Sequence, residues 1–145
     1  MLIFMKKILL SIFIIASSLN VGFSQNVNHG KYKVVIQMAS ESPDQQKSLF
    51  NQLGNIQKDL GDSVEIEVVV HGPAISLVMT EQSTHKENIY KFKNGGVTFA
   101  VCENTLRQRN ITKEQILPEM TYVKSAMIEL IKKQYEGWAY LKAGF

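Results

Sequence analysis

The chain contains one cysteine, Cys102, where the apolar run of residues 97–101 gives way to polar, helix-compatible residues. Exposed N–H groups and the dipole of a helix N-terminus stabilise a thiolate. Arg107 and Arg109 would add positive charge if the helix turns them inward, whereas Glu103 would raise the pKa of the thiol if it points to the same side. Because free cysteine is also a common small apolar core residue, its position leaves a reactive and a packed thiol equally open.

His71 stands at the matching place on the preceding predicted strand, in the stretch VVVHGPA. A Cys/His pair is a known nucleophile arrangement, but spacing in sequence does not show that the two side chains meet. The alternative interpretation is a histidine hydrogen-bonded in a strand-to-helix turn beside Gly72 and Pro73.

The sequence lacks the patterns that are typical of metal, nucleotide and hydrolase sites. One cysteine and three scattered histidines do not have the spacing of a structural metal site. The segment after the first predicted strand, QMASESPDQQK, has neither GxxxxGK nor GxGxxG, and no Gly-x-Ser-x-Gly elbow is present. We therefore expect no metal and no cofactor.

Strand and helix patterns alternate along the chain. Extended segments are predicted at residues 33–38, 64–70, 97–101, about 120–123, and in the stretch WAYLK. Helical patterns are predicted after Ser42 as far as Gly61, at residues 74–79, in THKENIYKF with Thr84 as its cap, from about Asn104, and from Ser125 to about Gln134. Such alternation predicts an α/β fold with a mostly parallel sheet, helices on both faces, and a site at the carboxyl ends of the strands.

The amino terminus has the pattern of a secretory signal. Lys6 and Lys7 precede an apolar run over residues 8–16, and the small residues Gly22 and Ser24 favour cleavage before Gln25. We expect a signal peptide at residues 1–24, a loose leader at 25–32 and one domain at 33–145. The run is shorter than the roughly 20 residues that span a bilayer, so no membrane anchor is expected after cleavage.

Cleavage also changes the charge of the protein. Lys6 and Lys7 are the only charges in the signal, so the net charge falls from +3 to +1. No basic stripe with interleaved aromatic residues is visible, and we expect no binding to nucleic acid. One cysteine excludes an internal disulfide, so the exported domain must be held by its apolar core.

Three stretches in order, HGPAISL, GVTFAVCENTLRQRNI and KKQYEGWAYLKAG, resemble the DsrE/DsrF-like family of sulfur-relay proteins. The resemblance covers roughly residues 33–144, and its best motif is a cysteine after the third strand with an arginine some residues later, here Cys102 and Arg109. It implies a five-stranded parallel sheet in a three-layer sandwich and a homo-oligomer, either a trimer or a hexamer. It also implies that Cys102 accepts sulfane sulfur as a persulfide.

These observations lead to one main hypothesis, a small exported, periplasmic sulfur carrier that exchanges sulfur with a donor and an acceptor thiol. Cys102 would carry the sulfur and His71 would accept a proton or stabilise the anion. The cationic side chains of Arg107 and Arg109 and the backbone N–H groups from Glu103 through Asn104 to Thr105 would stabilise the thiolate and the persulfide anion. Two alternatives stay open, a non-catalytic oligomeric ligand-binding or partner-binding module with a packed cysteine, and a redox sensor that forms an intermolecular disulfide.

Overall fold

A computed structural model describes residues 30–144. The predicted signal peptide and most of the predicted leader lie outside the described residues. The strands are β1 (Tyr32–Met38), β2 (Val64–Val70), β3 (Thr98–Cys102), β4 (Thr121–Val123) and β5 (Ala139–Lys142). The α-helices are α1 (Pro43–Leu60), α2 (Lys86–Asn94), α3 (Glu103–Gln108) and α4 (Ala126–Tyr135), and short 3-10 segments cover Gly61–Ser63, Gly72–Val78 and Lys113–Gln115.

The five strands form one sheet in the order β4-β3-β2-β1-β5, and every neighbouring pair is parallel. Parallel neighbours require crossover connections, which the intervening helices provide. All carboxyl ends of the strands therefore meet along one edge of the sheet. The predicted fold class, a five-stranded parallel sheet flanked by helices, is confirmed.

The two faces of the sheet are covered unequally. One face carries α1 and α2 and the larger apolar cluster, which includes side chains from β1, β2 and β3 as well as Leu106 of α3. The opposite face, called here the α4 face, has a smaller cluster made by Val35, Val69, Ala100, Cys102, Ala126, Leu130 and Trp138. Successive side chains of a strand point to opposite faces of the sheet. Along a strand, residues of the larger cluster therefore alternate with residues of the smaller one.

The first helix shows how local sequence sets these elements. Pro43 is its first residue, Leu49 and Leu53 face the core, and Gly61 follows its end with a φ of 51°. Pro at this position has the φ that a helix needs, and glycine accepts the left-handed φ at low cost. The Ser42 side chain, directly before the helix, makes no capping hydrogen bond. A serine hydroxyl upstream, that of Ser40, instead accepts the Ser42 N–H at 3.1 Å.

Further differences from the sequence prediction are local. The segment predicted as a helix at residues 74–79 is the 3-10 segment Gly72–Val78, which has Pro73 in its first turn. The helix α2 begins after His85 rather than Thr84. β3 extends one residue further than expected, so Cys102 is the last residue of the strand.

Within residues 30–144, no helix is both long enough and apolar enough to cross a lipid bilayer.

Candidate functional site

Cys102 lies at the carboxyl edge of the sheet, where β3 ends and α3 begins. Its side chain is only 4% exposed and packs on the α4 face between the strands and the start of α4. Cys102 therefore lies at the start of a helix and is also packed in the core, so the structure combines the two alternatives that the sequence left open. The hydrogen bonds to the sulfur affect how readily the thiol ionises.

Donors from two separate segments converge on the Cys102 sulfur. The Ala126 N–H, at the first position of α4, donates to Sγ at 3.3 Å. From α3, the Thr105 hydroxyl stabilises the thiolate form of the sulfur, whereas the Asn104 N–H donates to the Lys124 carbonyl at 3.2 Å. The Thr105 hydroxyl oxygen in turn accepts the Gly72 N–H at 3.0 Å, which fixes the position of this side chain.

These donors control the ionisation of the thiol. Burial raises the pKa of Cys102, but hydrogen bonding from Thr105 and Ala126 stabilises the thiolate more strongly. The pKa of the thiol therefore lies below its usual value. A lowered pKa increases the fraction of thiolate, the nucleophilic form, while the low exposure of the side chain restricts which reagents reach it.

His71 follows β2 directly and stands beside Cys102 in the sheet, since Val70 pairs with Val101 in the parallel register. Its hydrogen bond is to β1, where the Gln37 side-chain N–H donates to His71 Nε2 at 2.9 Å. The Tyr140 hydroxyl donates to Gln37 Oε1, which orients the amide so that its N–H faces the imidazole. Burial lowers the pKa of His71, so the ring is neutral at pH 7. A neutral ring that accepts at Nε2 carries its proton on Nδ1 and is a donor there.

The charged residues after Cys102 are paired with other groups or exposed. Lys113 Nζ lies 2.6 Å from a Glu103 carboxylate oxygen, and this ion pair lowers the pKa of Glu103. Arg107 donates to the side-chain oxygen of Asn104, and both Arg107 and Arg109 are exposed. The backbone N–H of Asn104 donates to the Lys124 carbonyl, and the anion-binding roles proposed for Glu103 and Asn104 stay predictions. The roles proposed for the two arginines stay predictions.

Three residues of this site, Gln37, Ala126 and Tyr140, were not anticipated from sequence, and of Thr105 only the backbone N–H was. Gln37 interrupts the otherwise apolar run KVVIQM, which is a signal of a polar contact on a buried strand. Thr105, three residues after Cys102, has the spacing of a side chain that folds back on a helix start. Ala126 acts only through its backbone, for which the residue type gives no signal.

Among the described residues, no group of three or more His, Cys, Asp or Glu side chains could hold a metal ion.

Comparisons with known proteins give a consistent result. Residues 31–143 match the DsrE/DsrF-like family. The structure is similar to that of MTH1491, a protein of unknown function from Methanobacterium thermoautotrophicum, with 28% identity and a TM-score of 0.74 over 77% of this chain and 99% of that chain. It is also similar in fold to BT1422, a conserved protein of unknown function from Bacteroides thetaiotaomicron, with 16% identity and a TM-score of 0.61 over 76% and 93% of the two chains. A search of curated proteins found no match.

Proposed function

The chain belongs to the DsrE/DsrF-like family, and from this premise we propose that it carries sulfane sulfur as a persulfide on Cys102. Family membership suggests a sulfur-relay role. The observation that supports the finer proposal is the convergence of hydrogen-bond donors from α3 and α4 on one buried sulfur. Such donors favour an anionic sulfur, which is the form that attacks sulfane sulfur.

The transfer is an exchange without net oxidation. The Cys102 thiolate attacks the outer sulfur of a donor persulfide, R–S–SH, and the S–S bond of the donor breaks. Its electron pair leaves on RS⁻, and Cys102 becomes Cys–S–SH, whose proton passes to solvent. The thiolate of an acceptor then attacks the outer sulfur, takes it as R′–S–SH after protonation, and regenerates the Cys102 thiolate.

The side chains around Cys102 take distinct parts in this proposal. The Ala126 N–H and the Thr105 hydroxyl stabilise the thiolate before attack and after release of the product. His71, with its proton on Nδ1, stabilises the persulfide anion as a donor and not as a base. Gln37 holds His71 in that form.

The low exposure of Cys102 limits the donor. A sulfur that is 4% exposed favours a small, slender donor such as inorganic polysulfide or a low-molecular-weight persulfide over a bulky one. We further propose that the protein acts outside the cytoplasm, after removal of residues 1–24, and that the acceptor is a small thiol or a thiol on a partner protein. The proposal of export rests on the sequence pattern of the amino terminus, and the proposal of an acceptor thiol rests on the family.

The same low exposure favours a second candidate function. If Cys102 only fills the space between the sheet and α4, the protein is a non-catalytic module that binds a ligand or partner at the carboxyl edge of the strands. The two functions differ in thiol chemistry. A carrier reacts with small reagents near neutral pH, and a packed thiol reacts slowly and only at alkaline pH.

Intact mass measurement after incubation with inorganic polysulfide tests the proposal. We use the chain from Gln25 onward, which retains all five strands and both apolar clusters. A gain of roughly 32 Da, one sulfur atom, that reductant removes and that Cys102→Ser lacks, supports the carrier. The protein remaining at its unmodified mass, while folded, would overturn the carrier and favour the packed cysteine.

A further inference from the structure

A groove runs between α1 and α2, on the side of the sheet opposite the α4 face. Its volume is about 630 Å³, within the range of roughly 300–1,000 Å³ that small-molecule sites occupy. The rings of Phe50 and Phe92, each 6% exposed, form its floor, and their centroids are 5.9 Å apart. The ring of His85 lies 5.0 Å from that of Phe50. We call this feature the α1–α2 groove.

The two helices run side by side in the same direction. The Gln57 side-chain N–H donates to the Gly95 carbonyl, 38 positions later, at 3.0 Å. Gly54 and Phe92 have the same separation, and a Cβ atom on Gly54 would lie 3.9 Å from Phe92 Cζ. A residue of α2 therefore lies at about the same level of the groove as the α1 residue 38 positions before it.

Two lysines line the groove near its opposite ends. Lys91 is level with Leu53, six residues after Lys47, so the two lysines are about 9 Å apart along the groove at a rise of 1.5 Å per residue. Lys91 Nζ lies 5.7 Å from the centroid of the Phe92 ring, beside the aromatic floor. Within residues 30–144, neither lysine forms an ion pair, and the lining of the groove includes no carboxylate. The groove therefore has an uncompensated positive charge near each end.

The remaining polar side chains of the groove are neutral. Asn51, Asn55 and Asn88 line it, and an asparagine amide both donates and accepts hydrogen bonds. Burial lowers the pKa of His85, so its ring is neutral at pH 7 and offers one donor and one acceptor. The groove thus combines an apolar floor, neutral hydrogen-bonding groups and two cations, which is the composition of a site for an organic anion.

Gly54 is an unfavourable residue for its place inside α1. Glycine in the interior of a helix is destabilising relative to alanine. Outside its own helix, a Cβ atom at Gly54 would meet only Phe92 Cζ within 4 Å, at an ordinary contact distance, so packing does not require a glycine here. Asn51 and Asn55 are also weaker helix formers than glutamine or lysine. Helix stability is thus reduced on the side of α1 that lines the groove, as expected where a ligand approaches the backbone.

We propose that the α1–α2 groove binds an elongated small-molecule dianion with an apolar middle. Suberate, a linear dicarboxylate, is a simple example, since its two acidic groups match the roughly 9 Å between the lysines. One carboxylate pairs with Lys47 and the other with Lys91, and the chain lies over the rings of Phe50 and Phe92. The site is separate from Cys102, which packs on the opposite face of the sheet, and does not depend on persulfide chemistry.

NMR titration of the chain from Gln25 onward with suberate, at constant ionic strength, tests the site. The backbone amide signals of α1 and α2 should shift, with a dissociation constant of about 1 mM. Octanoate has the same chain length and one carboxylate, and it should bind about fivefold more weakly, because an exposed ion pair contributes modestly. Lys47→Met and Lys91→Met should each bind suberate no more tightly than octanoate. Lys58→Met, exposed on α1 outside the groove, is the matched control and should not change binding.

Gly54→Leu tests the open floor without removing a charge. Leucine is a better helix former than glycine, so the thermal unfolding temperature should not fall. The leucine side chain occupies the groove, and suberate binding should weaken about tenfold. A folded Gly54→Leu protein that binds suberate as tightly as the unchanged protein would contradict the proposal.

The comparison of ligands and variants decides the proposal. Shifts confined to α1 and α2, a preference for suberate over octanoate, and loss of that preference in the Lys47→Met and Lys91→Met proteins support it. No shift at about 20 mM suberate, equal binding of the two acids, or an equal effect of Lys58→Met would overturn it. Tighter binding of the peptide acetyl-Glu-Ala-Ala-Glu-amide than of suberate would also overturn it and make an acidic peptide segment the occupant.

Discussion

At the scale of single residues, the environment of Cys102 combines two opposing effects. Burial disfavours the charged thiolate, and hydrogen bonding from Thr105 and Ala126 favours it. Bonds to a charged acceptor are roughly twice as strong as bonds between neutral groups, which explains why a few of them exceed the cost of burial. The donors therefore make this buried thiol acidic, and each donor can be removed separately.

Thr105 offers the first such test. Thr105→Val keeps the shape of the side chain and removes the hydroxyl that donates to the sulfur, so the pKa of Cys102 should rise. A hydrogen bond to a charged group contributes about 1.5 kcal/mol or more, and we expect the rate of alkylation by iodoacetamide at pH 7 to fall about tenfold. The measurement is the alkylation rate as a function of pH.

Thr105→Ser is the matched control for this change. Serine retains the hydroxyl, both for the sulfur and for the Gly72 N–H that it accepts. It should react at nearly the rate of the unchanged protein. If valine and serine gave the same pH profile, the hydroxyl would have no part in the acidity of Cys102.

Residue types predicted the centre of the site better than its surroundings. Cys102 and His71 were found because strand ends in a parallel sheet meet at one edge. Residue type alone does not give the direction of a side chain on the six-residue α3, which depends on local contacts such as the hydrogen bond from Arg107 to Asn104. Gln37 and Tyr140 join the site from β1 and β5, and nothing in their local sequence states that these strands are neighbours.

At the scale of secondary-structure elements, the start of α4 connects the fold to the thiol. The first N–H groups of an α-helix have no partner within the helix, and the Ala126 N–H uses Cys102 as its acceptor. The alternation of strand and helix patterns predicted this helix and the edge of the sheet where it begins. Contact between its first residue and a cysteine 24 positions earlier could not be predicted, because it depends on the length and path of the β4 connection.

Ala126→Pro tests the role of this helix start. Proline is tolerated at the first position of a helix, and the preceding Ser125, with a ψ of 125°, has the extended conformation that a residue before proline prefers. The change removes one donor from the sulfur while the helix remains. We expect the pKa of Cys102 to rise and persulfide formation from polysulfide at pH 7 to slow several-fold, as measured by intact mass over time.

Circular dichroism and thermal unfolding provide the control for Ala126→Pro. A loss of helix or a large loss of stability would show that proline disturbed α4 itself, and Ala126→Gly, which retains the N–H, then separates the two effects. Reaction of the folded proline variant at the unchanged rate would mean that the Ala126 N–H does not stabilise the reacting thiolate.

At the scale of the whole molecule, α4 makes contacts that affect both the thiol and the packing of the sheet. It is the one α-helix that the described residues place on its face of the sheet, while α1 and α2 cover the other. Its start contacts Cys102, and its inner side is held to the sheet by an ion pair. Changes in how α4 sits on the sheet would therefore affect the thiol.

The ion pair joins Lys133 Nζ of α4 to Glu67 Oε2 of β2 at 2.8 Å, and both side chains are largely buried. Burial raises the pKa of Glu67, Lys133 partly offsets that effect, and Glu67 Oε1 has no hydrogen-bond partner among the described residues. Lys133 also lies over the ring of Trp138, 4.1 Å from its centroid. The ionised form of the Glu67 side chain is therefore stabilised chiefly by Lys133.

Lys133→Met should therefore destabilise the fold strongly, because it leaves a buried carboxylate without its partner. We expect the free energy of unfolding in urea at pH 7 to fall by about 3 kcal/mol, and Glu67→Gln in the same background to recover most of it. Since the pKa of Glu67 in the folded state lies above its unfolded value, the native state binds the proton more tightly, and the Lys133→Met protein should regain stability as the pH falls from 7 toward 5. Lys132→Met, at the exposed neighbouring position, should change little. Equal losses in the two methionine variants, or no recovery with Glu67→Gln, would show that α4 is held by packing and not by this ion pair.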